Sequence, residues 1–292
     1  MINARLILFF ITIMKKILLS FFVAGICISC SKNEKIANGI EKRLYVSKIT
    51  NISSSGSTEL TFTYDSKNRL IKNETDTYYR EFIYGSGDKV ITIKSTTKPS
   101  TLYYTISFIY NNDGSVKEVK RDNHYNGTVY YTKYDYYNTG EVNNVYVFTS
   151  LDSYNNNKHV RYYDVSGYNK GKNFTGKLLS LYNTTNNFYD PFDDETWSYD
   201  GNNKPYFGDP IETIAVPYAT DGTGMDWDIR YQSSNPVNVT NFSFISGANF
   251  TKKTFEYVYN SEQYPTKMVK KTYLPDGSLS STFTQDFTYV LR

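Results

Sequence analysis

A tyrosine followed four places later by a turn-favouring residue, and six places later by an apolar residue or proline, recurs along this chain. That spacing constrains the fold more than any other feature. Tyr64, Asn68 and Leu70 form one instance. Tyr84, Asp88 and Val90 form another, as do Tyr110, Gly114 and Val116, Tyr136, Gly140 and Val142, and Tyr273, Gly277 and Leu279. Tyr199, Asn203 and Pro205, with Tyr259, Gln263 and Pro265, are proline-ended variants. A three-residue hairpin loop runs as a type I turn and then one left-handed residue, which Gly, Asn or Asp tolerates best. The residue at plus four takes that place, so the tyrosine and the plus-six residue face each other across the hairpin on one side of the sheet. Asp65 with Arg69, and Asp200 with Lys204, then oppose each other on the other side as charged pairs worth roughly a few tenths of a kcal/mol. The chain holds 30 tyrosines, so some matches are coincidental. Tyr163 with Gly167 and Tyr182 with Asn186 are read that way.

The runs between these corners alternate apolar and polar residues, as in Leu60-Thr61-Phe62-Thr63-Tyr64 and Thr105-Ile106-Ser107-Phe108-Ile109-Tyr110. Period two with β-branched and aromatic residues means strands. Leucine and alanine are sparse, and Gly, Asn, Asp, Ser and Thr break the chain at short intervals, so helix signals are nearly absent. The expected fold is all-β: an antiparallel meander of serial hairpins forming a curved or spiralled sheet over residues 44–292. The pattern fails at about 205–250, where Pro210, Pro217 and Pro236 join Gly208, Gly222, Gly224 and Gly247. Proline inside a central strand removes a ladder donor, so this stretch is expected to be loop, edge strand or a small insertion. The repeat resumes from Phe255, which keeps the insertion within the same domain.

Phe62-Thr63-Tyr64-Asp65-Ser66-Lys67-Asn68-Arg69-Leu70 resembles the YD repeat of the RHS/YD-repeat family, Tyr-Asp, two residues, Gly-Arg-Leu, with Asn68 in the glycine place. The other units keep only the skeleton. The likeness spans most of residues 60–290 and is greatest to small bacterial lipoproteins with degenerate YD-like hairpins. It implies a hairpin array and no catalytic residue, and the units are too few for the cocoon of long RHS toxins.

Residues 14 to 30 read Met-Lys-Lys-Ile-Leu-Leu-Ser-Phe-Phe-Val-Ala-Gly-Ile-Cys-Ile-Ser-Cys. The apolar run from Ile17 to Ile28 is shorter than the roughly 20 residues of a membrane-spanning helix and fits a signal h-region. Joining it to Leu6–Ile13 would bury Lys15 and Lys16 at about 2.5 to 3.5 kcal/mol each. The segment resembles a bacterial lipoprotein signal with its lipobox. That resemblance implies cleavage before Cys30, which follows the small Ser29, and acylation of Cys30. Residues 1–29 are then an export signal starting at Met14, and residues 30–43 a lipidated cysteine with a polar tether. Several acyl chains make a stable anchor where one chain is marginal. Reading Cys27 and Cys30 as a redox or metal pair fails because such a thiolate needs a folded, accessible setting.

The chain carries 32 basic residues and 29 acidic ones, and Arg5, Lys15 and Lys16 precede Cys30 with no acid among them. The remainder is balanced, without the concentrated positive field that drives nucleic-acid binding. No nucleic-acid partner is expected. His124 and His159 are the two histidines, and no HExxH, GxSxG or phosphate-cradling glycine motif occurs, so neither a metal site nor a cofactor is expected and the chain is read as a non-enzyme.

The candidate ligand-binding residues are Trp227 between Asp226 and Asp228, inside the insertion, and Trp197. An indole stacks on the apolar face of a sugar while flanking carboxylates accept hydroxyl protons; the competing reading is a turn whose Trp plugs the domain. Paired carboxylates also suit glycoside hydrolysis, given a separation of roughly 5 to 9 Å. Asp190, Asp193, Asp194 and Glu195 could offer oxygens to calcium, but they miss the EF-hand spacing and read as a solvated acidic loop. Tyrosine rings are expected to pack together with their hydroxyls reaching solvent. The resulting expectation is a lipid-anchored outer-membrane protein, facing the periplasm or the cell surface, that binds a polysaccharide or an envelope protein. The alternatives are a glycan hydrolase using acids of the insertion and a structural subunit of an envelope complex.

Overall fold

The tyrosine corners turn as their spacing requires. Asn68, Asp88, Gly114, Gly140, Gln263 and Gly277 all have positive φ, between 55° and 93°. In each of these hairpins the tyrosine pairs with the plus-six residue: Tyr64 with Leu70, Tyr84 with Val90, Tyr110 with Val116, Tyr136 with Val142, Tyr259 with Pro265 and Tyr273 with Leu279. The Asn68 amide donates to the Asp65 carbonyl and the Asp65 amide to the Arg69 carbonyl, both at 3.0 Å. Gly114 to Asn111 and Asn111 to Ser115 repeat that closure at 2.9 Å. The register slips at each corner tyrosine and leaves one extra residue on the returning strand, such as Ile71 or Ile91, a bulge that sharpens the local twist.

The computed structural model describes residues 42–86, 88–159, 161–166, 176–183, 188–203, 205–206, 235–243 and 248–292. The first half comprises strands β1 (Leu44–Ser53), β2 (Gly56–Tyr64), β3 (Leu70–Glu74), β4 (Tyr78–Tyr84), β5 (Val90–Thr97), β6 (Thr101–Tyr110), β7 (Val116–Asn123), β8 (Thr128–Tyr136) and β9 (Val142–Phe148). A short helix α1 (Leu151–Asn155) follows, capped by Ser150 and Ser153. The second half comprises β10 (Arg161–Ser166), β11 (Gly176–Asn183), β12 (Phe188–Tyr199), β13 (Pro236–Ser243), β14 (Ala248–Tyr259), β15 (Pro265–Tyr273) and β16 (Leu279–Leu291). Every strand pairs antiparallel with its sequence neighbour, and β1 also pairs with β16. The all-β antiparallel meander is therefore curved as far as closure: Leu44–Arg292 is one barrel unit without a free sheet edge among the described strands.

Alternation places the core inside. On β2, Leu60, Phe62 and Tyr64 are buried while Glu59, Thr61 and Thr63 are exposed. On β4, Arg80 and Phe82 are buried between exposed Glu81 and Ile83. Val46, Ile49, Leu60, Val90 and Ile106 have no exposed surface, so trimming any of the larger ones to alanine removes about 2 to 5 kcal/mol. Tyr131 and Phe148 are buried differently, on the outer face. There Tyr154 of α1 covers them, with ring centroids at 4.6 and 5.5 Å.

Strand parity sorts the corners. Those at Tyr64, Tyr84, Tyr110, Tyr136 and Tyr259 each lead from an even-numbered strand to an odd one and share one rim of the barrel. The corner at Tyr273 leads from β15 to β16 and lies at the opposite rim.

The variant at Tyr199 departs from the expected geometry. Tyr199 pairs with Pro236 rather than Pro205, and Asn203 is not among the described residues with positive φ. Asp200 to Asn203 lie outside the strands, and Asp200 bonds Asn235 and Tyr259; the expected pairing of Asp200 with Lys204 falls on a residue outside the described ones. Within the stretch expected to be irregular, β13 is a central strand paired on both sides. Pro236 is tolerated as its first residue, where the missing N–H costs least.

Candidate functional site

On the corner rim the tyrosine hydroxyls turn inward to backbone carbonyls, which corrects the expectation that they reach solvent. Tyr84 donates to Leu70 at 2.8 Å, Tyr110 to Val90 at 2.6 Å, and Tyr136 to Val116 at 2.6 Å. Each acceptor is the plus-six residue of the preceding hairpin. Tyr289 donates to Pro265 at 2.7 Å, and Tyr64 to Val46 at 2.7 Å. The ladder thus joins successive corners and reaches both sides of the β16–β1 seam, where Val46 and Tyr289 pair through the backbone. Burial raises the Tyr110 phenol to about 12, and it raises Tyr84, Tyr136 and Tyr289 further.

Basic side chains add a second tie. Arg69 bonds Asp65 of its own turn at 2.6 Å and Asp88 of the next turn at 2.6 Å, and its guanidinium lies 4.5 Å from the Tyr84 ring centroid. Lys89 donates to the Gly114 carbonyl at 2.5 Å and sits 5.0 Å over Tyr110. Arg292 bonds Asn68 Oδ1 at 3.0 Å and the Asp65 carbonyl at 3.1 Å, 5.5 Å over Tyr64. The arginine of the YD-like unit therefore serves the neighbouring hairpin as much as its own.

The residues just after Tyr199 are tied down on this rim. The Asp200 amide donates to the Asn235 carbonyl at 3.0 Å, and Asn235 Nδ2 to the Asn203 carbonyl at 2.9 Å. The Tyr259 hydroxyl donates to Asp200 Oδ2, and burial with that carboxylate raises the phenol. Tyr206 is buried at 4.8 Å from the Tyr45 ring, and its carbonyl accepts from the Val46 amide at 2.9 Å.

The opposite rim carries the most exposed aromatic among the described residues. Tyr125, at the tip of the β7–β8 hairpin, is 56% exposed and stacks on Tyr103 with centroids 4.3 Å apart and an interplanar angle of 11°. The His124 amide donates to the Tyr103 carbonyl at 2.9 Å, and its Nε2 meets Thr105 Oγ1 at 2.9 Å, which fixes the backbone beneath the stacked pair.

Of the residues singled out from sequence, Trp227, Asp226, Asp228 and Cys30 lie outside the described residues, as do the export signal and nearly all of the tether. Trp197 is buried in the core at 4% exposure, stacked near Tyr199 and donating through Nε1 to Glu195 at 3.3 Å. A ligand would meet it only from within the barrel. Asp190, Asp193, Asp194 and Glu195 are part of strand β12 rather than an acidic loop. Adjacent Asp194 and Glu195 consequently fall on opposite faces, and no metal-holding cluster occurs among the described residues. Sequence reasoning passed over Asn235, Tyr206 and Tyr289; only Tyr289 carried a usable signal, an aromatic at the end of an alternating strand.

No family model matches the sequence, and comparison with curated proteins gives no match. Solved structures do match. A porin-like protein from Bacteroides uniformis ATCC 8492 superposes with a TM-score of 0.53 at 14% identity, over 84% of this chain and 96% of that one. A porin-like protein from Bacteroides vulgatus ATCC 8482 does so with a TM-score of 0.54 at 13% identity, over 85% and 99%. At these identities the likeness is one of fold. The Photorhabdus luminescens Tc holotoxin pore aligns with 76% of this chain and 13% of its own at a TM-score of 0.30, too low to carry an argument.

Proposed function

We propose that this is a lipid-anchored cell-envelope protein of the outer membrane whose barrel is a non-catalytic module binding a polysaccharide. The observation that carries the reading is the Tyr103–Tyr125 stack. A more than half-exposed ring, held flat by a second ring and by a hydrogen-bonded turn, presents a rigid apolar plate of the kind that packs against a sugar face at little entropic cost.

A pore reading, suggested by the names of the two Bacteroides proteins, is disfavoured by where the charges lie. A transmembrane barrel turns an apolar band outward and a polar lining inward. Here Glu59, Glu81, Lys94, Lys117, Asp135 and Glu256 are exposed on outward-facing strand positions, while Leu60, Phe62, Phe82, Ile106 and Phe108 face inward and are buried. A barrel of this polarity sits beside a membrane, held by its Cys30 anchor, rather than through it.

Binding to an arrayed glycan panel, reduced at least about tenfold by Tyr125→Ala, tests the proposal. Loss on Trp227→Ala as well would bring the insertion into the same site. Capture of an envelope protein with no glycan bound would replace the polysaccharide by a protein partner. Polysaccharide turnover abolished by Asp226→Asn or Asp228→Asn would overturn the non-catalytic reading.

A further inference from the structure

Register aligns one row of inward-facing residues across six strands. Phe62 pairs with Asn73, Asn73 with Arg80, Arg80 with Ser95, Ser95 with Tyr104, and Tyr104 with Asn123. After the phenylalanine this row is polar throughout, and Asn73, Arg80, Ser95, Tyr104 and Asn123 are each less than 5% exposed. It lies just inside the rim that carries Tyr125, since β3 ends at Glu74 and β4 begins at Tyr78.

The row is not satisfied internally. Arg80 donates through Nε to the Tyr104 hydroxyl at 2.7 Å and faces the Tyr78 ring at 4.9 Å. Its Nη1 is buried with no hydrogen-bond partner, and among the described residues no carboxylate pairs with it. Asn73, beside it, has neither its Nδ2 nor its Oδ1 bonded. Arg121 adds a second cation 4.3 Å from the Tyr104 ring. A guanidinium taken out of water needs an opposite charge, and a buried amide with both ends idle needs a donor and an acceptor.

We propose that this row is a binding site inside the barrel for a small oxyanion that also bears an O–H group, a hydroxy-carboxylate or hydrogenphosphate. The anionic oxygen accepts from Arg80 Nη1 and from Asn73 Nδ2, while the O–H donates to Asn73 Oδ1. Because both ends of the Asn73 amide are unbonded, the same ligand chemistry follows whichever way the amide is turned. Tyr104, fixed by Arg80 Nε and flanked by Arg121, holds the guanidinium in place. The site is separate from the Tyr103–Tyr125 plate and stands or falls independently of glycan binding.

Titration calorimetry of the purified full chain in low-salt buffer with sodium lactate, sodium propionate and inorganic phosphate tests this. Saturable one-to-one heat with lactate or phosphate is expected, and which of the two binds identifies the source. Propionate, lacking the hydroxyl, should bind on the order of tenfold more weakly than lactate if the carboxylate is the ligand. Arg80→Met should abolish the heat, and Asn73→Leu should remove the preference for lactate. The comparison of ligands on the unmodified chain needs no variant to fold. Absence of saturable heat with all three, or binding by Arg80→Met as tight as by the native chain, would overturn the site and leave a hydrated polar layer.

Discussion

The Tyr84 hydroxyl donates to the carbonyl of Leu70 at 2.8 Å, and Leu70 is the residue paired with Tyr64 across the preceding corner. One contact therefore ties two consecutive hairpins through a group that each turn leaves behind. Repetition at Tyr110 and Tyr136 turns a local motif into a rim that runs around the sheet. A hairpin is marginal alone in water; bonded to its predecessor, it is not alone.

Arg69 reinforces the first of these junctions through Asp65, Asp88 and the Tyr84 ring. Arg69→Met should cost about 1 kcal/mol, because the Asp88 partner is exposed and screened while the Asp65 partner is better covered. Urea unfolding at low and high salt measures it. Part of the cost should vanish at high salt, and a salt-independent cost would assign the whole effect to packing.

Corner chirality gives a pair of opposite outcomes. Gln263 holds φ at 66° and Gly277 at 84°, and a Cβ on Gly277 would meet nothing. Gly277→Ala should then cost only the backbone strain, about 1 to 2 kcal/mol. Gly114→Ala should cost more, since its Cβ would collide with Lys89, whose amine holds the Gly114 carbonyl. Gln263→Gly should stabilise by about 1 kcal/mol. Denaturation midpoints at unchanged slope are the readout.

The pH limits follow from two sets of groups. Burial alone would raise the Asp65 carboxyl, but the Arg69 and Lys67 amides and the Arg69 guanidinium outweigh it and hold it below the usual range. Its contribution is present above the unfolded value near 3.9 and is lost as pH falls through the depressed folded value; Asp65→Asn should flatten this acid limb. The ladder phenols act in the other direction. Tyr110, raised to about 12 by burial, contributes fully below the unfolded value near 10, and that contribution disappears as pH rises through about 12. Melting temperature against pH, followed together with phenolate absorbance, should show ladder tyrosines ionising only as the barrel unfolds.

The corners were legible in the sequence because a left-handed position admits few residue types, and a fixed offset from a strand-ending tyrosine marks it. The partner of each hydroxyl was not legible, since it belongs to another hairpin and depends on strand stagger. Tyr199-Asn203-Pro205 has the right spacing and the wrong outcome: Tyr199 pairs with Pro236, a return that local chemistry cannot announce. Arg80 shares the parity of Phe82 and Tyr84, so alternation alone puts it on the inner face; its partners there, Asn73 and Ser95, come from a register the sequence does not show. Closure was equally hidden, because β1 and β16 carry no mark of each other beyond an alternating pattern common to all the strands.

The most direct test of the ladder is equilibrium unfolding of a chain with Tyr84, Tyr110 and Tyr136 all changed to Phe, set against a chain with Tyr79, Tyr125 and Tyr273 changed to Phe. Each ladder hydroxyl is worth about 1 kcal/mol, so the first chain should lose about 3 kcal/mol while the second stays within about 1 kcal/mol of the native protein. Equal losses in the two chains would show that the rim is held by ring packing alone and would contradict the account.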